Sequence, residues 1–192
     1  LHFGQPTPHA RLSDLAPPAL DGDESEYATL VRTHRMDWSE RLVLMLALVP
    51  HVRPQLLDTL FVRNTNFDRG FTEFGGWKGR AHGGFLPTGE TAALLVAGED
   101  LAERFALRRV FEEEHFFRRE GILRLQHDAP GEPFFSGALN LSAEAIDLLT
   151  TGSHRKPDFS QAFPGTLLSA TLGPDALVFR SDVLAEIDIV NG

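Results

Sequence analysis

The chain contains no cysteine. Disulfide staples, thiol catalysis and thiolate metal ligands are therefore excluded, which fits a reducing compartment. Long apolar runs are missing too. The longest, residues 42–49, is far shorter than the roughly 20 residues a helix needs to cross a bilayer. No signal-peptide pattern is visible at the start. The expected location is the cytoplasm, with no membrane involvement. Positive charge is scarce: 18 Lys and Arg stand against 27 Asp and Glu, for a formal net charge of −9. Tight nonspecific binding to nucleic acid needs a basic stripe that displaces counterions, so a nucleic-acid partner is not expected.

Catalytic signatures are also absent. There are 8 histidines, and no two stand three or four residues apart, as metal ligands on one helix face would. Neither H-E-x-x-H nor G-x-S-x-G occurs. The nearest approach to a catalytic cluster is Glu73, Lys78, Arg80 and His82. It offers no nucleophile and no orienting partner, so this chain is not expected to be an enzyme, and no catalytic, metal or cofactor residue is assigned.

What the chain does have is clustered glycine. Gly75, Gly76, Gly79, Gly83, Gly84 and Gly89 all fall within residues 71–91. Such a cluster marks unusual turns or close backbone approaches. Trp77, Lys78, Arg80 and His82 lie among those glycines and are the candidate interaction residues. Lys78, Arg80 and His82 alternate, so an extended backbone would set them on one side as a cationic patch. On an acidic protein that patch would attract an acidic partner. Phe74, Trp77 and Phe85 are the expected anchors of the loop. Residues 84–91 spell a phosphate loop with one residue wrong, because Glu90 stands where the lysine belongs. A carboxylate there repels the β- and γ-phosphates. No strand of β-branched residues precedes it either. The stretch is read as a docked loop that starts a helix capped by Thr88.

The rest of the chain reads as helices followed by a hairpin. Residues 1–24 form an irregular, proline-bearing arm pinned by Leu12, Leu15 and Leu20. A helix over 25–35 puts Tyr27, Leu30 and Val31 on one face. Asp37 and Glu40 form a capping box for a helix to about residue 49, ended with the help of Pro50. That helix is apolar almost all round and should be the most buried. Pro54 opens a short helix whose inner face is Leu56, Leu57, Leu60 and Phe61. Residues 63–70 are a polar turn.

Beyond the glycines, the helix over 88–97 stops at Gly98. Another begins at Asp100, with Leu101, Phe105, Leu107, Val110 and Phe111 available to pack. Glu112, Glu113 and Glu114 read as its solvated face. Leu123 and Leu125 alternate with polar residues, as do Leu139 and Leu141, and a turn-rich loop over 127–133 joins them into a hairpin. Ser142 caps a helix to about residue 149, ended by Gly152. Residues 153–174 are irregular, followed by a short strand over 176–179 and a helical segment from Ser181.

The fold class is therefore α+β, mainly helical, with winged-helix-like helices followed by a β-hairpin and a glycine-rich insertion. The organisation is an arm over 1–24, a winged-helix-like domain over 25–152, and an extension over 153–192.

Certain strings resemble a known family. They are Thr72-Glu73-Phe74-Gly75-Gly76 and the run His82-Gly83-Gly84-Phe85-Leu86-Pro87-Thr88-Gly89-Glu90-Thr91. Gly131-Glu132-Pro133, Leu148-Leu149-Thr150-Thr151-Gly152 and Asp158-Phe159-Ser160 fit the same pattern. Over nearly the whole chain it resembles the N-terminal region of bacterial AAA+ ATPases that accompany contractile, phage-tail-like injection systems. The resemblance implies a winged-helix-like N-terminal part joined to an ATPase module lying beyond Gly192. ATP and magnesium would bind in that module, which would also carry any oligomer, and no ATP-site residue is placed on this chain.

Two functions follow as expectations. The first is a non-catalytic interaction or regulatory domain that recruits a protein partner or contacts the attached ATPase module. The alternative is a winged-helix DNA-binding module whose helix over 88–97 enters the major groove. That helix has no Arg, Lys, Asn or Gln to read bases or grip phosphates, so core packing is its expected role.

Overall fold

A computed structural model of the chain describes residues 15–153, apart from Phe67 and Arg80. Most of the expected arm, the extension beyond residue 153 with its strand at 176–179, and the segment from Ser181 lie outside the described residues.

Helix α1 (Glu26–His34) starts at Ser25, whose hydroxyl accepts the Ala28 N–H, and closes on Arg35 in the left-handed region at φ 50°. Helix α2 (Trp38–Val52) starts from the expected capping box: the Asp37 side chain accepts the Glu40 N–H, and the Glu40 side chain accepts the Asp37 N–H. Val43, Leu44, Leu46, Ala47 and Leu48 are buried, but Met45 is 37% exposed, so the helix is not apolar to the core on every side. Pro50 does not end it. Proline removes its own N–H and restricts the residue before it, yet leaves later residues free. The last turn therefore continues to Val52, and the Arg53 N–H closes on the Val49 carbonyl at 2.8 Å.

Pro54 does open the next element, but it is a 3-10 turn over Pro54–Phe61. With three residues per turn, Leu57 and Leu60 stack toward the core and Leu56 points away. Leu57 is buried, whereas Leu56 is 55% exposed, so the expected four-residue inner face shrinks. The polar turn proves to be a small hairpin of β1 (Arg63–Asn64) and β2 (Arg69–Gly70). A 3-10 turn, Thr72–Phe74, then leads into a second antiparallel pair, β3 (Trp77–Lys78) and β4 (Phe85–Leu86).

Helix α3 (Gly89–Ala97) stops at Gly98, φ 56°. Asp100 accepts the Ala102 and Glu103 N–H groups to cap α4 (Leu101–Leu107), which tightens into a 3-10 turn over Arg108–Phe111. Leu107, Val110 and Phe111 are buried, but Leu101 and Phe105 are 64% and 71% exposed, against the expectation that they pack. Glu112, Glu113 and Glu114 are exposed in a turn and not on a helix. A four-residue helix, α5 (Phe116–Arg119), follows, too short to show periodicity in sequence.

The alternating leucines pair as expected. β5 (Leu123–Gln126) and β6 (Ala138–Leu141) are antiparallel, with Leu123 opposite Leu141 and Leu125 opposite Leu139. Ser142 caps α6 (Ala143–Thr151), which ends on Gly152 in the left-handed region.

The architecture is mixed α+β, mostly helical, with small antiparallel two-stranded sheets. Two of these sheets touch. The Leu139 N–H donates to the Pro87 carbonyl at 2.9 Å, and the Gly89 N–H donates to the Gly137 carbonyl at 2.9 Å. The strand leading into α3 therefore runs beside β6. The core centres on Val43 and Leu44 of α2, packed with Phe85, Ala92, Ala93, Val110, Phe117 and Leu123. Each of its large apolar side chains contributes roughly 1.5–3 kcal/mol through burial.

Candidate functional site

The glycine-rich stretch is built onto the first turn of α3. The Thr88 hydroxyl accepts the Gly76 N–H at 3.1 Å, and the Thr91 hydroxyl donates to the Phe74 carbonyl at 2.7 Å. The Thr88 N–H donates back to the Thr91 hydroxyl at 3.0 Å, so a threonine fills the place glutamate usually takes in a capping box. Two glycines make the docking possible. Gly76 has φ 85°, and a Cβ there would lie 2.2 Å from the Phe85 ring. Gly75 has φ 61°, and a Cβ there would lie 2.3 Å from the Thr88 hydroxyl oxygen. A side chain at either position meets both strain and collision. Phe85 is 1% exposed and is the anchor of the loop, while Phe74 and Trp77 are half-buried.

This arrangement accounts for the near-match to a phosphate loop. A phosphate site needs free N–H groups at the helix start. Here the Gly89 N–H is taken by Gly137 and the Thr91 N–H faces the Thr88 hydroxyl. Glu90 is ion-paired to Arg104, whose guanidinium also lies 5.1 Å from the centre of the Phe135 ring. The carboxylate at the lysine position thus joins α3 to α4 and to the loop before β6.

Of the four candidate residues, Lys78 is exposed on β3 and Trp77 is half-buried beside it. Arg80 lies outside the described residues. His82 does not stand alongside Lys78 as a displayed cation. It folds back over its own hairpin: a Cβ on Gly84 would lie 2.6 Å from its Nε2. That nitrogen is buried and meets no hydrogen-bond partner among the described residues. His82 also acts on α2, because partial burial and then repulsion by the His82 imidazole hold His51 below its ordinary pKa.

Trp77 separates two clefts. One, of about 520 Å³, is lined by Phe71, Glu73, Trp77, Glu90 and Ser136 among others. The other, of about 450 Å³, is lined by Trp77, Lys78, Leu86, Asp128 and Glu132 among others. Asp128 and Glu132 come from the β5–β6 loop. Nothing in the sequence singled them out, because the pairing that brings that loop to β3 is long-range. Sequence reasoning named Glu73 but set it with cations; in the fold it shares a cleft with Glu90.

A second charged cluster joins α2 to α5. Glu40 is 7% exposed. One of its oxygens accepts the Asp37 N–H, and the other lies 3.0 Å from His115 Nε2. His115 Nδ1 accepts the Phe117 N–H at 3.2 Å and caps α5. Nδ1 is thus an acceptor, so Nε2 carries the proton and donates it to Glu40. Arg109 ion-pairs with Asp37. Partial burial raises the Asp37 carboxyl, but hydrogen bonds from Ser39, the Glu40 N–H and Arg109 outweigh it and hold the pKa below its ordinary value. Every polar group in this cluster is engaged in capping or pairing, which makes it a structural clasp.

Among the described residues, no group of three or more histidines and carboxylates is placed to hold a metal ion. No helix among them is long and apolar enough to cross a membrane. The chain matches no family model, no curated protein and no solved structure.

Proposed function

We propose that this chain is a non-catalytic interaction domain that recruits a protein partner or substrate, or aids assembly, as the N-terminal part of a bacterial AAA+ ATPase. ATP and magnesium chemistry would belong to the attached ATPase module, as would oligomer formation, and the setting would be the cytoplasm. The family assignment rests on the sequence strings. The interaction role rests on one structural observation, the outer face of α4.

Helices α3 and α4 are joined by a short turn over Gly98, Glu99 and Asp100. The DNA-binding alternative would use α3, but its Thr91, Ala92, Ala93 and Ala97 are buried, which favours a packing role for that helix. Leu101 and Phe105 stand one turn apart on α4 and are its most exposed large side chains. The nearby cations are engaged: Arg104 pairs with Glu90, and Arg108 lies 4.5 Å from the centre of the Phe134 ring. An apolar face at this place suits a protein surface better than a phosphate backbone.

The test is a Leu101→Ser, Phe105→Ser double variant in the longer protein. Exposed substitutions of this kind shift stability by about 0.5 kcal/mol or less, whereas loss of an interface anchor costs ~2 kcal/mol or more. The expected result is unchanged melting with weakened assembly or partner capture. Unaltered assembly, or a gel shift of random duplex at low salt, overturns the reading in favour of a solvated face or of DNA binding.

A further inference from the structure

Most of the charged side chains among the described residues lining the clefts on either side of Trp77 are carboxylates. The first is mostly apolar, walled by Phe71 and Trp77, with Glu73 and Glu90 at its polar positions. The second sets Lys78 against Asp128 and Glu132. Glu90 is neutralised by Arg104. Glu73, Asp128 and Glu132 are exposed and have no ion-pair partner among the described residues. Three unpaired carboxylates thus line the two clefts that Trp77 also lines, against Lys78 as the only described cation lining them. The indole N–H donates to none of the described residues, so it is available to a carbonyl.

These features complement one chemistry. An aromatic face attracts a guanidinium or ammonium, adjacent carboxylates accept its N–H groups, and an indole N–H donates to a backbone carbonyl. We infer that the groove around Trp77 docks an extended, arginine- or lysine-bearing segment of a protein partner, with one cationic side chain beside Glu73 and the next toward Asp128 and Glu132. This surface combines the β3–β4 hairpin with the β5–β6 loop, and its proposed occupant is cationic where the glycine-rich stretch alone led to the expectation of an acidic one.

The experiment uses the whole chain and three blocked pentapeptides in which alanine alternates with arginine, glutamine or glutamate. Binding is followed by calorimetry and by the two indole N–H resonances, those of Trp38 and Trp77. The arginine peptide should bind about tenfold more tightly than the glutamine peptide, a ratio worth ~1.4 kcal/mol. It should shift the Trp77 resonance and leave that of Trp38 in place, and added salt should weaken it. Trp77→Ala should abolish the shift. Because that variant disturbs a half-buried residue, Glu73→Gln, which alters only an exposed carboxylate, should also weaken binding several-fold while melting with the parent. Equal binding of the glutamine peptide would reduce the groove to an apolar contact and overturn the proposal. Preference for the glutamate peptide would hand the site to Lys78 and overturn it as well. So would an unaffected Glu73→Gln variant, or no binding by any peptide.

Discussion

His51 shows how one loop residue reaches the body of the protein. It sits on the last turn of α2, and partial burial together with the His82 imidazole lowers its pKa. The folded state therefore prefers neutral His51, while the unfolded chain protonates near 6.5. The sign follows: the contribution to stability is full above about pH 6.5 and is lost as pH falls through the depressed folded value. The wild-type chain should lose stability between neutral and mildly acidic pH. His51→Asn should lose less over the same window, read as urea midpoints at both pH values. Equal losses would mean that this histidine does not couple to folding. None of this was legible in the sequence, where His51 and His82 are 31 positions apart and His82 was grouped with Lys78 and Arg80 as part of a cationic patch.

At the scale of the element, helix α2 was legible at its start and less so along its length. Asp37 and Glu40 announce a capping box because the spacing of cap and third residue is fixed by local geometry. Which of the eight apolar residues at 42–49 turn outward depends on what packs against the helix, and the sequence of the helix does not contain that. Leu44 is fully buried and Leu46 is 6% exposed, whereas Met45 between them is 37% exposed. Leu44→Ala and Leu46→Ala should each cost roughly 2–5 kcal/mol. Met45→Ala should cost about 1 kcal/mol or less. Thermal or urea melts of the three variants separate these outcomes, and a Met45→Ala loss as large as that of Leu44→Ala would contradict the orientation. The same reasoning explains α4. Leu101 and Phe105 fit a helical repeat, and only the third dimension shows that the repeat faces outward.

For the whole molecule, the hairpin of β5 and β6 could be read from alternation, but its union with the strand before α3 could not. Two-residue strands carry no period, and the contact from Pro87 to Leu139 spans 52 positions. The clefts around Trp77 depend on that union, so their acidic walls were hidden as well. The hydroxyls of Thr88 and Thr91 sit at this junction. Each serves the first turn of α3 and the docked loop at once. A pair of groups shared in this way makes two structures into one cooperative unit: the loop cannot lift without uncapping the helix, and the helix cannot fray without releasing the loop. Amide hydrogen exchange should therefore show the Gly76 N–H and the first-turn amides of α3 opening with a common free energy, although they belong to different elements. Thr88→Val, which keeps the shape and removes the hydroxyl, should accelerate exchange at both places together. The glycine-rich stretch would then behave kinetically as the first turn of a helix, its release timed by two methyl-bearing alcohols.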